Sequence, residues 1–444
     1  MLQEKSRPGS PFVLWTALFA CLTTPALLPQ AGAQIPPDPG CTSTQAWIRQ
    51  MNPRSDTTGM NNIAYLDYDA TYWYMELSGA AGTSATIAGQ FPAARYMSLA
   101  LYAGGDWASP IDDLLDAGIN PNPGQNNPFR SGGTSVQGDY TVSVVFGFPP
   151  RQKSPNTLYT SGQTTVRLVY RLYAPTNPSD LAGGDTAPVL PAVAAGGSPL
   201  STCALRPIVT PQTATVWGRL DQMNYSGTPP SEPESATFIP SWTLSAGAGS
   251  DAPFANQDDN YMLTFLSRQF FAPPYSEQIV VLELLAPTFA DTETGVAPYT
   301  EADVRYWSIC TDDPLTSGVA RCIPDYLAPN VNGLATFVIS DPGNAPSADA
   351  LAEWGATWLA WGALEPGDAM YNVSAKELTS ADGVFYYNCL FYRQLVSNPA
   401  FPQSIGNVSQ VAPALQKAAM GKYWPKIGYC TISAFTAEGA GCVH

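Results

Sequence analysis

The sequence predicts an all-β protein of two jelly-roll-like β-sandwich modules, with a short N-terminal helix and a C-terminal helix. Three observations carry this. Short runs of aromatic and β-branched residues alternate with turn residues along most of the chain. The 444 residues include 42 Pro and 37 Gly, and only 13% are charged, about half the ~25% typical of globular domains. Finally, a strand beginning Arg-Tyr occurs in each half, as "RYMSLALYAGGD" from Arg95 and "RYWSICTDDP" from Arg305.

In chain order, residues 1–33 read as a targeting segment. A polar, weakly basic start precedes the apolar "VLWTALFACLTTPALLP", and Ala31-Gly32-Ala33 supplies small residues for cleavage. The apolar run holds Pro25 and Pro29 and is short for a membrane span. Secretion to the cell exterior or a periplasm is therefore expected, with no transmembrane segment. Residues 34–63 form an N-terminal arm in which "CTSTQAWIRQ" has helical composition and Asn52-Pro53 ends it.

Residues 64–215 hold the first module. "TYWYMELSG", "TSATIAGQF" and "RYMSLALYAGG" read as strands, followed by a long polar loop, "DDLLDAGINPNPGQNNPFRSGG". A connection of that length without structure is expected to be functional or stapled to the body. "DYTVSVVFGF" and "TTVRLVYRLYAP" resume the strands, and residues 176–215 read as a linker or edge. Residues 216–444 hold the second module, with "YMLTFLSRQF", "QIVVLELLAPTF", "VRYWSICTDD", "GLATFVISDPG" and "ATWLAWGAL" as strands. "SQVAPALQKAAMGKYW" has helix composition with Ser409 as its cap, and "KIGYCTISAF" reads as a last strand. Aligning the halves sets Arg95 with Arg305, Tyr96 with Tyr306, Ser98 with Ser308 and Leu99 with Ile309.

Export permits disulfides. Of eight cysteines, Cys21 lies in the leader, which leaves an odd number in the mature chain. Cys310/Cys322 and Cys430/Cys442 are each spaced for a local bridge, and Cys41 with Cys203 would tie the arm to the first module. Three sequons, at Asn224, Asn372 and Asn407, would make the chain a glycoprotein in a eukaryotic host.

The chain is acidic, with 20 Lys+Arg against 36 Asp+Glu. No basic stripe is present to displace counterions from phosphates, which argues against nucleic acid as a partner. The single histidine, His444, is the last residue. A Ser-His-Asp triad, a Cys-His pair or a histidine metal site would need one in the core. Nor is there a Walker A, G-x-S-x-G or Rossmann motif, so no cofactor is expected. Asp- and Asn-rich loops lack EF-hand spacing, so no metal site is expected either.

Carboxylate, tyrosine and arginine chemistry remains. Candidate acids are Asp69 in "AYLDYDATYWYMEL", Glu76 on the following strand, Asp113 after "GDWASP" and Glu301 before Arg305. Each also has a plain structural reading: a turn pair for Asp69 with Asp67, an exposed strand residue for Glu76, a loop residue for Asp113. Arg95 and Arg305 fit either a clamp for a ligand carboxylate or an ion pair with a loop acid. On an extended strand Met97, Leu99 and Leu101 share one face, while Tyr96, Ser98, Ala100 and Tyr102 share the other. The second face is a shallow trough floored by small residues and walled by rings, of the kind on which sugars and flat apolar molecules stack. Trp73 is near in sequence. Candidate ligand-binding residues are therefore Arg95, Tyr96, Ser98, Tyr102, Trp73 and Arg305.

The segments "FPAARYMSLALY", "INPNPGQNNPF", "GDYTVSVVFG" and "NTLYTSGQTTVRLVYRLYAP" resemble an exported, uncharacterised family known as domain of unknown function twelve-fourteen, and "RYWSICTDD … GLATFVISDPG" resembles its pattern again. The resemblance implies a jelly-roll-like sandwich and no settled chemistry.

Two functions lead, ahead of a structural envelope or wall protein. One is a secreted protein binding a sugar or small amphipathic ligand. The other is a histidine-free enzyme, a carboxylate/tyrosine hydrolase, lyase or substrate-shaping cyclase acting on a glycan or small secondary metabolite. Neither reading fixes an oligomeric state.

Overall fold

The computed structural model describes residues 45–47, 49–53, 65–104, 110–131, 138–177, 190–202, 239–241, 256–267, 278–290, 301–312, 318–340, 342–361, 378–380, 383–385 and 387–443. The leader, the sequons at Asn224 and Asn372, Cys41, Cys203, Trp107 and His444 lie outside them.

Strands dominate. The first half carries β1 (Gln45–Ala46), β2 (Arg49–Met51), β3 (Ala70–Ser78), β4 (Ser84–Gln90), β5 (Ala94–Ala103), β6 (Pro110–Leu115), β7 (Asp139–Val145), β8 (Thr157–Tyr159), β9 (Thr165–Pro175), β10 (Ala192–Ala195), β11 (Ser198–Pro199) and β12 (Ser201–Thr202). The second half carries β13 (Ile239–Ser241), β14 (Asp259–Ser267), β15 (Gln278–Leu285), β16 (Val304–Asp312), β17 (Val319–Pro324), β18 (Leu334–Ser340), β19 (Ala356–Ala360), β20 (Leu378–Ser380), β21 (Gly383–Phe385), β22 (Tyr387–Ser397) and β23 (Lys426–Thr431).

Each half folds two sheets onto one core. In the first, β2-β3-β9-β5-β6 faces β11-β10-β4-β7-β8. In the second, β13-β14-β22-β16-β17 faces β19-β18-β15-β23. Period-two alternation makes the layers: Met97, Leu99 and Leu101 of β5 enter the first sandwich core, as Trp307 and Ile309 of β16 enter the second. The residues between them, Tyr96, Ala100 and Tyr102 on β5 and Tyr306 and Cys310 on β16, meet in a third core between the sandwiches. The molecule is thus four sheets deep, with its two inner sheets face to face.

The halves share one topology. Strands β3, β4, β5, β6, β7, β8, β9 and β10 match β14, β15, β16, β17, β18, β19, β22 and β23 in chain order and sheet position. The same step is parallel in both, β7 to β8 and β18 to β19. A short 3-10 turn follows the fourth strand in both, Asp116–Gly118 and Asp325–Leu327.

Local expectations are corrected at four places. Among the described residues of the N-terminal arm no helix forms, and Arg49–Met51 pairs along β3 instead. Trp47, at φ 50°, breaks the helical path and buries its ring against Tyr170, with its indole N–H donating to the Pro191 carbonyl at 2.6 Å. Burial of one large ring outweighs the weak helix preference of its neighbours. The long polar loop after β5 opens as the edge strand β6, and its remainder is stapled by Asn127, which donates to the Asp116 and Ile119 carbonyls. Near the C-terminus the helix runs Pro413–Met420 with Pro at its first turn, without a Ser409 cap. The final "KIGYCTISAF" splits into β23 and a helix, Ile432–Glu438, capped by Thr431.

Both local disulfides form, Cys310–Cys322 and Cys430–Cys442. No helix among the described residues is long and apolar enough to cross a membrane.

Candidate site at the seam between the sandwiches

The seam is built around two reciprocal ion pairs. Arg95 opens β5 of the first half and pairs with Asp325 of the second. Arg305 opens β16 and reaches back to Asp116, placing Nη1 2.6 Å from both carboxylate oxygens. Each aspartate also accepts from the backbone of the strand beside it, Met97 N at 2.9 Å for Asp116 and Trp307 N at 3.0 Å for Asp325. The arginines are buried, and Arg95 lies over the rings of Phe289 and Tyr326 at 4.7 and 5.2 Å. Of the two sequence readings for these arginines, the structure places them in ion pairs. Burial outweighs the attraction of Arg95 and pushes the Asp325 carboxyl up to about 7.

Behind these pairs, each half presents a tyrosine to an Asx turn of the other. Tyr306 donates to Asp67 at 2.9 Å, and Tyr96 donates to Asn256 at 3.2 Å and to Asp258 at 2.8 Å. The turns match: Asp69 N donates to Asp67 Oδ1, and Asp258 N to Asn256 Oδ1. Arginines of the long central strands also correspond, since Arg171 sits opposite Ser98 and Arg393 opposite Ser308.

The symmetry breaks where β16 meets β17. In the second half, Cys310 faces Cys322 across β16 and β17 and the two are bonded. The equivalent pair in the first half is Ala100 and Asp113. The disulfide side is closed, with Ser308 Oγ and Tyr306 OH spent on Asp67. Although Asp67 lies with both sulfurs inside 4.8 Å, the sulfurs are bonded to each other and present no thiolate to a metal.

The Asp113 side is open. Asp113 and Asp258 are partly exposed, and come from different halves. Burial, then the charges of Asp258 and Asp112, push the Asp113 carboxyl up to about 6. Asp258 is likewise raised, by burial first and against the hydrogen bond from Tyr96. Around them stand Tyr96, whose hydroxyl is raised well above its ordinary value by burial and by Asp258, and Tyr102, which accepts from Arg171 Nη2. Ser98 Oγ lies beside Tyr96 and eases that rise. Asp112, next to Asp113, is held by Lys153 and by the Tyr159 N–H at 2.7 Å.

Of the residues picked out in sequence, the structure therefore gathers Arg95, Tyr96, Ser98, Tyr102, Asp69, Asp113 and Arg305 at one seam, but the expected trough is corrected: the face of Tyr96, Ser98, Ala100 and Tyr102 is buried because the second sandwich packs onto it. Asp69 serves it structurally, accepting from Tyr326 at 2.6 Å. Trp73 is corrected to a core residue: it stacks on Tyr170 at 5.4 Å, inside the first sandwich. Glu76 is exposed and pairs with Arg167 across the strands at 3.2 Å. Glu301 lies exposed on the turn before β16. Sequence reasoning missed Asp325, Arg171 and Arg393, and met Asp116, Asn256 and Asp258 only as members of Asp/Asn-rich loops without EF-hand spacing.

No family model matches the chain, and no curated protein does. Among solved structures, the chain is similar to an uncharacterized protein from Burkholderia cenocepacia, 14% identical, with a TM-score of 0.46 over 88% of this chain and 83% of that one. It is also similar to a protein from Vibrio parahaemolyticus, 11% identical, with a TM-score of 0.40 over 82% of this chain and 90% of that one.

Proposed function

We propose that the protein is an exported binding protein that holds a sugar or small amphipathic molecule at the open side of the seam. One observation carries the reading. Asp113 and Asp258, from separate halves, converge beside Tyr96 and Tyr102 at the place that the other half closes with a disulfide. Carboxylates take paired hydroxyl donors, while the fully buried Tyr96 and Tyr102 rings back the site without offering a face to the ligand. Export fits the two disulfides and the apolar leader. Membership of the exported family that the strands resemble is part of the same proposal.

Calorimetric titration with monosaccharides and disaccharides tests it. Binding to at least one sugar is expected, weakened about tenfold or more by Asp113→Asn together with Asp258→Asn, with the thermal midpoint monitored alongside. If no sugar or amphipathic probe binds the wild-type chain, the reading fails.

A second reading follows from the raised Asp113. A carboxyl with a pKa of about 6 is a fair general acid near neutral pH, and Asp258 would be its partner. Turnover of aryl glycosides, abolished by Asp113→Asn, would favour catalysis over binding.

A further inference from the structure

The open side of the seam is short of positive charge. Arg305 is committed to Asp116, Lys153 to Asp112, and Arg171 donates to Tyr102. Asp113 and Asp258 make no ion pair within 4 Å among the described residues. Two carboxylates that repel each other, in a partly desolvated place, are stabilised by a cation or by a proton.

A second observation is independent of charge. Asn256 is 4% exposed, and its Nδ2 has no hydrogen-bond partner. Its Oδ1 is held by Tyr96 OH and Asp258 N, so the free donor belongs to the same cluster. An unmet buried amide donor asks for an oxygen acceptor.

We propose that the ligand of this site is an amino sugar, or an amino alcohol of like spacing. Its ammonium lies between Asp113 and Asp258, and one of its oxygens accepts from Asn256. The inference rests on the binding reading above and narrows it to one ligand class. The ammonium supplies the missing charge without bringing a bulky group into the seam. A neutral sugar would leave the two carboxylates repelling, and a carboxylate ligand would add to the repulsion.

Proton competition follows. Asp113 faces Asp112 on its own strand, Arg171 on β9, Lys153 after β7 and Asp258 from the other half. Asp258 faces Tyr96, Asp116, Arg305 and Arg171. As pH falls through about 6, a proton takes the Asp113 carboxylate that the ammonium needs.

The test titrates the full chain with glucosamine, glucose and N-acetylglucosamine at pH 7.5 and pH 5. Glucosamine is expected to bind at least tenfold tighter than either neutral sugar at pH 7.5, with that advantage shrinking at pH 5. Asp113→Asn, nearly isosteric, should remove both the preference and its pH dependence while the thermal midpoint and circular dichroism confirm the fold. Equal affinity for all three sugars overturns the inference and leaves the binding reading standing. No binding to any of them overturns the inference, and the binding reading then stands or falls on the wider titration given for it above.

Discussion

At the scale of the residue, Arg95 shows what the seam demands. A fully buried guanidinium beside a fully buried carboxylate contributes little net stability, because desolvation cancels much of the attraction. Removing one partner is different, since the other is left buried and charged. Arg95→Ala should cost about 3–5 kcal/mol of unfolding free energy at pH 8. The loss should shrink at pH 5, where Asp325 can take a proton. Urea titrations of both proteins at the two pH values check this. A pH-independent deficit, or none, would contradict the pairing.

At the scale of the element, the two copies of the inner sheet differ by one crosslink. The Cys310–Cys322 bridge closes a loop of twelve residues' separation, worth roughly 3 kcal/mol on the chain-entropy argument. Ala100 and Asp113 occupy the same register positions across β5 and β6. Ala100→Cys with Asp113→Cys should therefore close on its own in air, read as a loss of two hydrogens by mass spectrometry, and should abolish the proposed sugar binding. A persistently reduced pair would show that the halves differ more than their register suggests.

This copy was partly visible in sequence. "RYMSLALY" and "RYWSICTD" announced Arg95, Arg305 and the two-faced strand, because alternation is a local property. The spacing of Cys310 and Cys322 announced their bridge. Other correspondences were present but quiet. "YRLY" matches "YRQL" at Arg171 and Arg393, and "LDYDATY" matches "ANQDDNY" around Asp67 and Asn256. Their meaning depends on which face meets which, and that is set by packing between halves distant in sequence. A lone Asp116 in "LLDAG" reads as a turn residue until Arg305, 189 positions away, is known to reach it. Trp73 misled for the converse reason: an aromatic on a strand looks the same in sequence whichever face is covered.

At the scale of the whole molecule, the seam stores acid. Asp113 is pushed to about 6 and Asp259 and Asp325 to about 7, each mainly by burial. Carboxyls raised in the folded state bind more protons folded than unfolded between about pH 4 and 7, so stability rises as pH falls through that window. Relief of self-repulsion in a chain of net charge −16 acts in the same direction. The urea midpoint should therefore be higher at pH 5 than at pH 7.5. A midpoint that falls on mild acidification would mean that depressed carboxylates dominate instead.

The exchange of Arg95 for Arg305 across the seam carries a historical meaning. Each half supplies the arginine that the other's aspartate needs, as two identical subunits do when they pair about a twofold axis. The chain has the form of such a pair joined end to end, with a crosslink in one copy and an acid at the same register in the other. Fusion would have freed the copies to diverge, so that a place once present twice could become a brace on one side and an uncrosslinked acidic cluster on the other.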